Sequence, residues 1–339
     1  ILTMPPVNME QFYADEYRIS IDSEEEDQMI SISGSDAIYR TGLQAQLLKK
    51  YIDLSKCKKI IDYGGAKGTT LKRVLKEYEH IAPYIFDVSN NYEKYWEGVF
   101  PKENRSIFNL PESWNNCFDV ATSFFVLEHV EDLDTALRNV KKILKRDGYY
   151  FIIVPNVLAN IADFVVADHI NHFTQNSLEF CFNKYGFVIE RFDDKTNPSW
   201  FIVVAKNVGT NFQMKSTDHS PILEQASKIA DQWANLNNKI IEVKKNLKDR
   251  NSVAIYGAGF YGTYIAKILG FDNFNCFIDK NEFLQQKLHY SKAVVDPTNI
   301  ANSITDVIVA LNPTVAVNAM NSIDCWNDKK INFYYPLQA

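Results

Sequence analysis

The sequence predicts an α/β protein built on two parallel sheets. Three observations carry that expectation. From residue 51 onward, short apolar strand signals alternate with helical stretches, as in strands joined by crossover helices. A strand running straight into a glycine-rich turn occurs twice, at 60–68 and again at 253–262. Between these turns, two strand signals flank the short segment Lys195–Pro198, a connection that favours an antiparallel hairpin. The 339 residues, 46% of them hydrophobic, suffice for two cores.

The elements follow in order. The first fifty residues are mostly polar, with an acidic run at Asp22–Asp27, and read as an N-terminal segment in which Tyr13 and Tyr17 are candidates for a lid. Strands are expected at Lys59–Tyr63, Tyr84–Val88, Val120–Phe124 and Tyr149–Val154, with a helix at Asp134–Leu144 among the connections. The hairpin is expected at Phe187–Asp193 and Trp200–Ala205, closing a first domain over 51–207. A linker and long helix fill 208–250, and a Rossmann-like domain fills 251–339. In the long helix, Ile222, Ala226, Ile229, Trp233, Leu236, Ile240, Val243 and Leu247 recur at alternating spacings of four and three. That seam either packs along its own domain or joins two copies as a homodimer.

Composition excludes several classes. A net charge of −6 without a basic stripe argues against nucleic acid as partner. No apolar run reaches the roughly 20 residues that span a bilayer. The start lacks the basic region and apolar block of a signal peptide, and its first residue is Ile, which leaves room for a start further upstream. Cys57, Cys117, Cys181, Cys276 and Cys325 form no CxxC pair, so they read as reduced thiols in a cytoplasmic protein rather than a zinc ribbon.

The chemistry starts at Ile60-Ile61-Asp62-Tyr63-Gly64-Gly65-Ala66-Lys67-Gly68. Glycines let the backbone approach a ligand closely. The acid ahead of the turn repels a pyrophosphate but attracts an ammonium group, which separates this turn from a dinucleotide site. Asp87 ends the next strand, followed by Phe108-Asn109-Leu110-Pro111 and then Phe118-Asp119-Val120 with Ser123-Phe124-Phe125-Val126-Leu127-Glu128-His129-Val130. A turn at Gly148 and the pair Pro155-Asn156 complete the set. In this order the segments resemble class I S-adenosylmethionine-dependent methyltransferases over roughly residues 40–206. The resemblance implies a Rossmann-like sheet ending in an antiparallel hairpin, with S-adenosylmethionine as cofactor. It implies cofactor contacts from Asp62, Gly64, Gly65, Gly68, Asp87, Val88, Asn109, Leu110, Ser123 and Phe124. Asp87 would take the ribose hydroxyls and Asn109 the adenine edge. Arg40 would face the methionine carboxylate, a job suited to a bidentate guanidinium.

Methyl transfer to a hydroxyl needs an aligned acceptor and a base. His129 follows the fourth strand, and His169 and His172 follow the fifth in Asp168-His169-Ile170-Asn171-His172-Phe173-Thr174. A neutral imidazole is a fitting base; the resemblance ranks His172 first, His169 second and His129 third. A helix-cap region is the structural alternative for His169 and His172, and a role in the cofactor pocket is the alternative for His129. Asp168, His169 and His172 lack a further evident ligand, so no metal site is expected.

Val253-Ala254-Ile255-Tyr256-Gly257-Ala258-Gly259-Phe260-Tyr261-Gly262, with Asp279 after the next strand, has the form of a dinucleotide fingerprint. Gly257, Gly259, Gly262 and Asp279 either bind a nucleotide or belong to a Rossmann turn that has lost its ligand. The two-domain plan resembles bacterial sugar and surface-polysaccharide methyltransferases. It departs from their C-methylating branch by lacking an N-terminal cysteine cluster, which favours oxygen as target. The expected reaction is therefore methylation of a hydroxyl on a sugar or nucleotide-linked sugar. C-methylation of a nucleotide-linked deoxysugar and a non-catalytic cofactor-binding scaffold are the alternatives.

Overall fold

A computed structural model describes residues 23–33, 36–209, 220–247, 249–285, 287–326 and 330–338. Tyr13, Tyr17 and residues 210–219 of the linker expected over Gly209–Ser220 lie outside the described residues. The chain divides into two compact units, 1–217 and 218–339, so the long helix groups with the second.

In the first unit β1 (Met29–Ser33) and β2 (Asp36–Tyr39) pair antiparallel. Helix α1 (Arg40–Tyr51) begins at Arg40, which puts that residue in its first turn. Next come β3 (Lys59–Tyr63), α2 (Thr69–Leu75), β4 (Ala82–Asp87), β5 (Arg105–Ile107) and β6 (Phe118–Phe124). Helix α3 (Leu133–Ile143), β7 (Leu144–Pro155), α4 (Gln175–Lys184), β8 (Phe187–Asp193) and β9 (Trp200–Asn207) complete the unit. The sheet runs β5-β4-β3-β6-β7-β9-β8. Its strands are parallel except β9, which lies antiparallel between β7 and β8. This is the Rossmann-like sheet with a terminal antiparallel hairpin that the resemblance implies.

Sequence explains the layering. Tyr150–Val154 of β7 are all buried, because a strand covered on both faces needs a continuous apolar run. In α3 the buried residues are Ala136, Leu137, Val140 and Ile143, one stripe of a helix, and Asp132 caps it by accepting from Thr135 N at 2.9 Å. The sheet's carboxyl edge gathers the ends of β3, β4, β6 and β7, where ligands bind in open α/β sheets.

The second unit holds α5 (Ser220–Asn246), β10 (Val253–Tyr256), α6 (Phe260–Leu269), β11 (Cys276–Ile278), β12 (Leu288–His289), β13 (Lys292–Val295), β14 (Asp306–Val309), α7 (Pro313–Asn321) and β15 (Asn332–Tyr334). Its sheet runs β12-β13-β11-β10-β14-β15, parallel except for β12. The α5 seam is buried at Ala226, Ile229, Trp233, Leu236 and Ile240. Trp233 stacks on Tyr261 of α6 with ring centroids 6.2 Å apart and meets Tyr264 edge-on at 5.0 Å. The seam is thus covered inside its own unit, which favours the intramolecular reading over the homodimer.

Candidate active site of the first unit

The glycine turn is fastened to β4. Gly64 N and Gly65 N donate to Phe86 O at 2.8 and 3.1 Å, and Ala66 N donates to Asp87 Oδ2 at 2.8 Å. Gly64 (φ +77°) and Gly68 (φ +70°) are left-handed, and Gly68 caps α2. A Cβ on Gly64 would stand 2.6 Å from Val126, so the turn packs directly under the segment after β6. Ala66 is also left-handed, at φ +44°, a conformation that strains an L-residue and suits the glycine usual in the resembling motif.

Asp62 and Asp87 are both buried. Burial pushes the Asp62 carboxyl up to about 7, against the Thr122 hydroxyl that donates to its Oδ1 at 2.8 Å; nearby Asp87 adds to the rise. Burial also lifts Asp87 to about 6, although Ala66 N and Ser89 N both donate to it. Two buried carboxylates in one place favour a cationic ligand. Beside Asp87 stand two large apolar residues that the fold leaves about half exposed, Val88 and Phe108, at 49% each. Phe108 is held at φ +66° by its N–H, which donates to Asp87 O. An exposed apolar pair next to a carboxylate suits a flat heterocycle joined to a ribose.

Arg40 opens α1 with its guanidinium over the Phe125 ring at 5.2 Å, and its buried Nε finds no hydrogen-bond partner among the described residues. A carboxylate arriving there would satisfy it. Ser123 is placed inside the sheet, donating to Tyr63 O at 2.8 Å and accepting from Tyr150 OH at 2.9 Å. Phe124 packs on Phe151. Asn109 is exposed and Leu110 half-buried. The cavity beside them is lined by Phe86, Asn139, Lys142 and Ile143 and contains none of Asp62, Asp87 or the histidines.

Sequence reading missed Lys67. Its buried ammonium donates to the carbonyls of Ser23, Glu24 and Glu26 at 2.9, 3.2 and 2.7 Å, tying the acidic run to the glycine turn. Burial holds its pKa below the usual lysine range, against the pull of Glu26, Asp27 and Glu24.

On the other side of the sheet edge, all three histidines gather. Ile170 N and Asn171 N donate to Glu128 O at 2.9 and 3.0 Å, and Asn171 Nδ2 donates to Leu127 O and Val130 O. These bonds stitch the segment after β7 to the turn after β6. Asp163, buried in the apolar stretch Ile161–Val165, accepts from His169 Nδ1 at 2.6 Å and from His172 Nδ1 at 2.7 Å. Burial raises the Asp163 pKa, but the two imidazoles more than offset this and hold it low. His129 Nδ1 meets Asp168 Oδ2 at 3.2 Å. Burial lowers the His129 pKa, yet Asp168 and Glu128 outweigh it and the net shift is upward. The His129 and His169 rings meet edge-on at 4.7 Å. His172 lies deeper: its side chain is wholly buried and stacks on Phe164. The cap of α4 is Thr174 with Ser177, so the histidines are free of that task. Asp163 had no sequence signal beyond being an acid inside an apolar stretch.

In the second unit Gly257 N donates to Ile278 O at 2.7 Å and Ala258 N to Asp279 Oδ2 at 2.8 Å, the same construction as Gly64, Ala66 and Asp87. Gly257 has φ +104°, a Cβ on Gly262 would meet Gly257 O at 1.8 Å, and one on Gly259 would stand in open space at the start of α6.

Residues 37–191 match the family model of a methyltransferase domain. No curated protein matches the chain. Among solved structures, an S-adenosylmethionine-dependent methyltransferase from Archaeoglobus fulgidus is similar at 21% identity and TM-score 0.41, covering 49% of this chain and 94% of that one. One from Mesorhizobium loti is similar at 15% identity and TM-score 0.38, covering 48% and 95%. Human N-acetylserotonin methyltransferase, solved with S-adenosylmethionine, is similar at 16% identity and TM-score 0.40, covering 50% and 52%.

The site yields two expectations. Replacing Asp87 with Ala removes an acceptor and unties Ala66, so calorimetry should show S-adenosylhomocysteine binding weaker by roughly 1–3 kcal/mol, with Asp87→Asn losing less. Affinity should also depend on pH. A cationic ligand needs Asp62 ionised, so binding must expel its proton below a pKa of about 7. S-adenosylhomocysteine should therefore bind progressively more weakly as pH falls through 7, by up to about tenfold per unit. A flat profile between about pH 5.5 and 7.5 would take Asp62 out of the ligand's charge balance. The turn, its two buried acids and the exposed apolar pair all lie within the match at 37–191: the chain carries a methyltransferase domain over those residues.

Proposed function

We propose that the chain methylates a hydroxyl of a sugar or nucleotide-linked sugar in the cytoplasm, as a step of surface-polysaccharide biosynthesis. The observation that carries the hydroxyl is the cluster of three imidazoles, each anchored at Nδ1 by a carboxylate, at the sheet edge that bears the glycine turn. S-adenosylmethionine supplies a methyl group on a sulfonium, open to in-line displacement. Asp62 holds the amino group, Arg40 the carboxylate, Asp87 the ribose, and Val88 with Phe108 the adenine. The carboxylates fix each imidazole tautomer so that Nε2 is the proton-accepting nitrogen. His169 and His129 are partly exposed, while His172 is wholly buried. The acceptor's proton is therefore handled at His169 and His129, and His172 positions Asp163. The second glycine turn, with Gly257, Gly259, Gly262 and Asp279, is a separate nucleotide site of the second unit. No described helix is long and apolar enough to cross a membrane.

The test is incubation with methyl-labelled S-adenosylmethionine and a panel of free and nucleotide-linked sugars, read by mass spectrometry. Label on a sugar oxygen is the expected outcome. Label on carbon would move the target to the deoxysugar ring. Tight S-adenosylhomocysteine binding with no transfer to any sugar would reject the sugar acceptor.

A further inference from the structure

The side chain of Glu128 presents a problem that methyl transfer leaves unsolved. It is wholly buried, and neither carboxylate oxygen has a hydrogen-bond partner among the described residues. A buried carboxylate without donors either takes up a proton or needs a cation beside it. Its nearest charged neighbour is the His129 imidazole, with Nε2 4.0 Å from Oε1.

We propose that Glu128, His129 and His169 hold a divalent transition-metal ion of the zinc type. One ligand atom from each of the three lies within 4.8 Å of the others. Ligands about 2.1 Å from a tetrahedral ion stand roughly 3.4 Å apart, so modest side-chain rotation closes the set. Two imidazoles and one carboxylate make a three-ligand site with a position left open. The outer shell is already built. His129 turns Nδ1 to Asp168 and His169 turns Nδ1 to Asp163, the carboxylate–histidine arrangement that aims Nε2 at a metal and raises its basicity. His172 bonds the second oxygen of Asp163 and so fixes the carboxylate that orients His169. Glu128 is thus the further ligand that the 168–172 segment lacks when read along the chain. The ion site does not depend on the sugar reading. Only the route of the acceptor's proton does: with the ion bound, Nε2 of His129 and His169 is occupied, and a hydroxyl at the open position would be acidified and give its proton to water in place of those imidazoles.

The experiment measures bound metal rather than activity. Metal-stripped protein is titrated with Zn²⁺, and with Co²⁺ followed by its visible absorption. About one ion per chain is expected to bind tightly. Glu128→Gln keeps the shape of the side chain and removes the unpartnered charge, so it should fold, as checked by circular dichroism. It and His169→Asn should bind Zn²⁺ roughly 100-fold or more weakly, and Asp163→Asn roughly 10–100-fold more weakly. Zn²⁺ should raise the melting temperature of the wild-type protein and leave that of Glu128→Gln unmoved. Equal Zn²⁺ affinity in wild type and Glu128→Gln, or no tight binding in either, overturns the proposal. Because metal content is the readout, a failed search for a sugar acceptor cannot be mistaken for failure of the ion site.

Discussion

His169→Ala is expected to lower turnover by roughly 10²–10⁴-fold while S-adenosylhomocysteine binds as before. The imidazole is partly exposed, anchored at Nδ1 by buried Asp163, and set edge-on to His129. Asp62, Asp87 and Arg40 keep their own partners when it is removed, so the cofactor side should not register the change. His172→Ala should behave differently. Its wholly buried ring packs on Phe164, so truncation leaves a cavity and costs stability, and the loss in rate comes only through a loosened Asp163. His172→Asn places an amide N–H near the former Nδ1 and should restore most of that rate, whereas no side chain without a basic nitrogen should rescue position 169. Single-turnover transfer with the cofactor affinity measured in parallel separates these outcomes. If His172→Ala abolishes transfer, His172→Asn fails to restore it, and His169→Ala keeps the wild-type rate, the proton is taken at His172 instead.

Trp233→Glu is expected to unfold or severely loosen the second unit. The indole is buried between α5 and α6, stacked on Tyr261 and edge-on to Tyr264. Losing a buried aromatic of this size costs about 3–5 kcal/mol, and seating a carboxylate in its place adds a desolvation penalty. Scanning calorimetry should show the second unit melting far lower. S-adenosylhomocysteine binding should survive, because the residues proposed to hold it all belong to the first unit. Light scattering should give the same mass before and after the change. A folded variant of halved mass would instead make the α5 seam an interface between copies.

How far the sequence could be read depends on the range over which each feature is determined. Asp62, Gly64 and Gly68 belong to one strand–turn–helix, so their roles follow from neighbours within a few residues. The hairpin of β8 and β9 was legible for the same reason, although its insertion of β9 beside β7 was implied only by resemblance. β5 escaped notice because Arg105–Ile107 is too short for any periodicity to show. The heptad seam of α5 was plain, but what covers it was not, since Tyr261 and Tyr264 come from a helix read first as part of a glycine fingerprint. Glu128 looked like one letter of a recurring run. Its burial is set by amides at 170–171, supplied by a segment some forty residues later. Asp163 unites two histidines that lie six and nine residues beyond it, a distance spanned by irregular backbone.

The Lys67 bonds to Ser23, Glu24 and Glu26 bear on where the catalytic module begins. The family match starts at residue 37, yet the glycine turn's own lysine is satisfied by backbone upstream of that boundary. A chain shortened to the matched region would keep every side chain proposed to hold the cofactor and still leave an ammonium ion without its acceptors next to the turn. Protease nicking within residues 23–33 would therefore weaken a site that it never touches, and a bound cofactor would in turn shield those peptide bonds from cleavage.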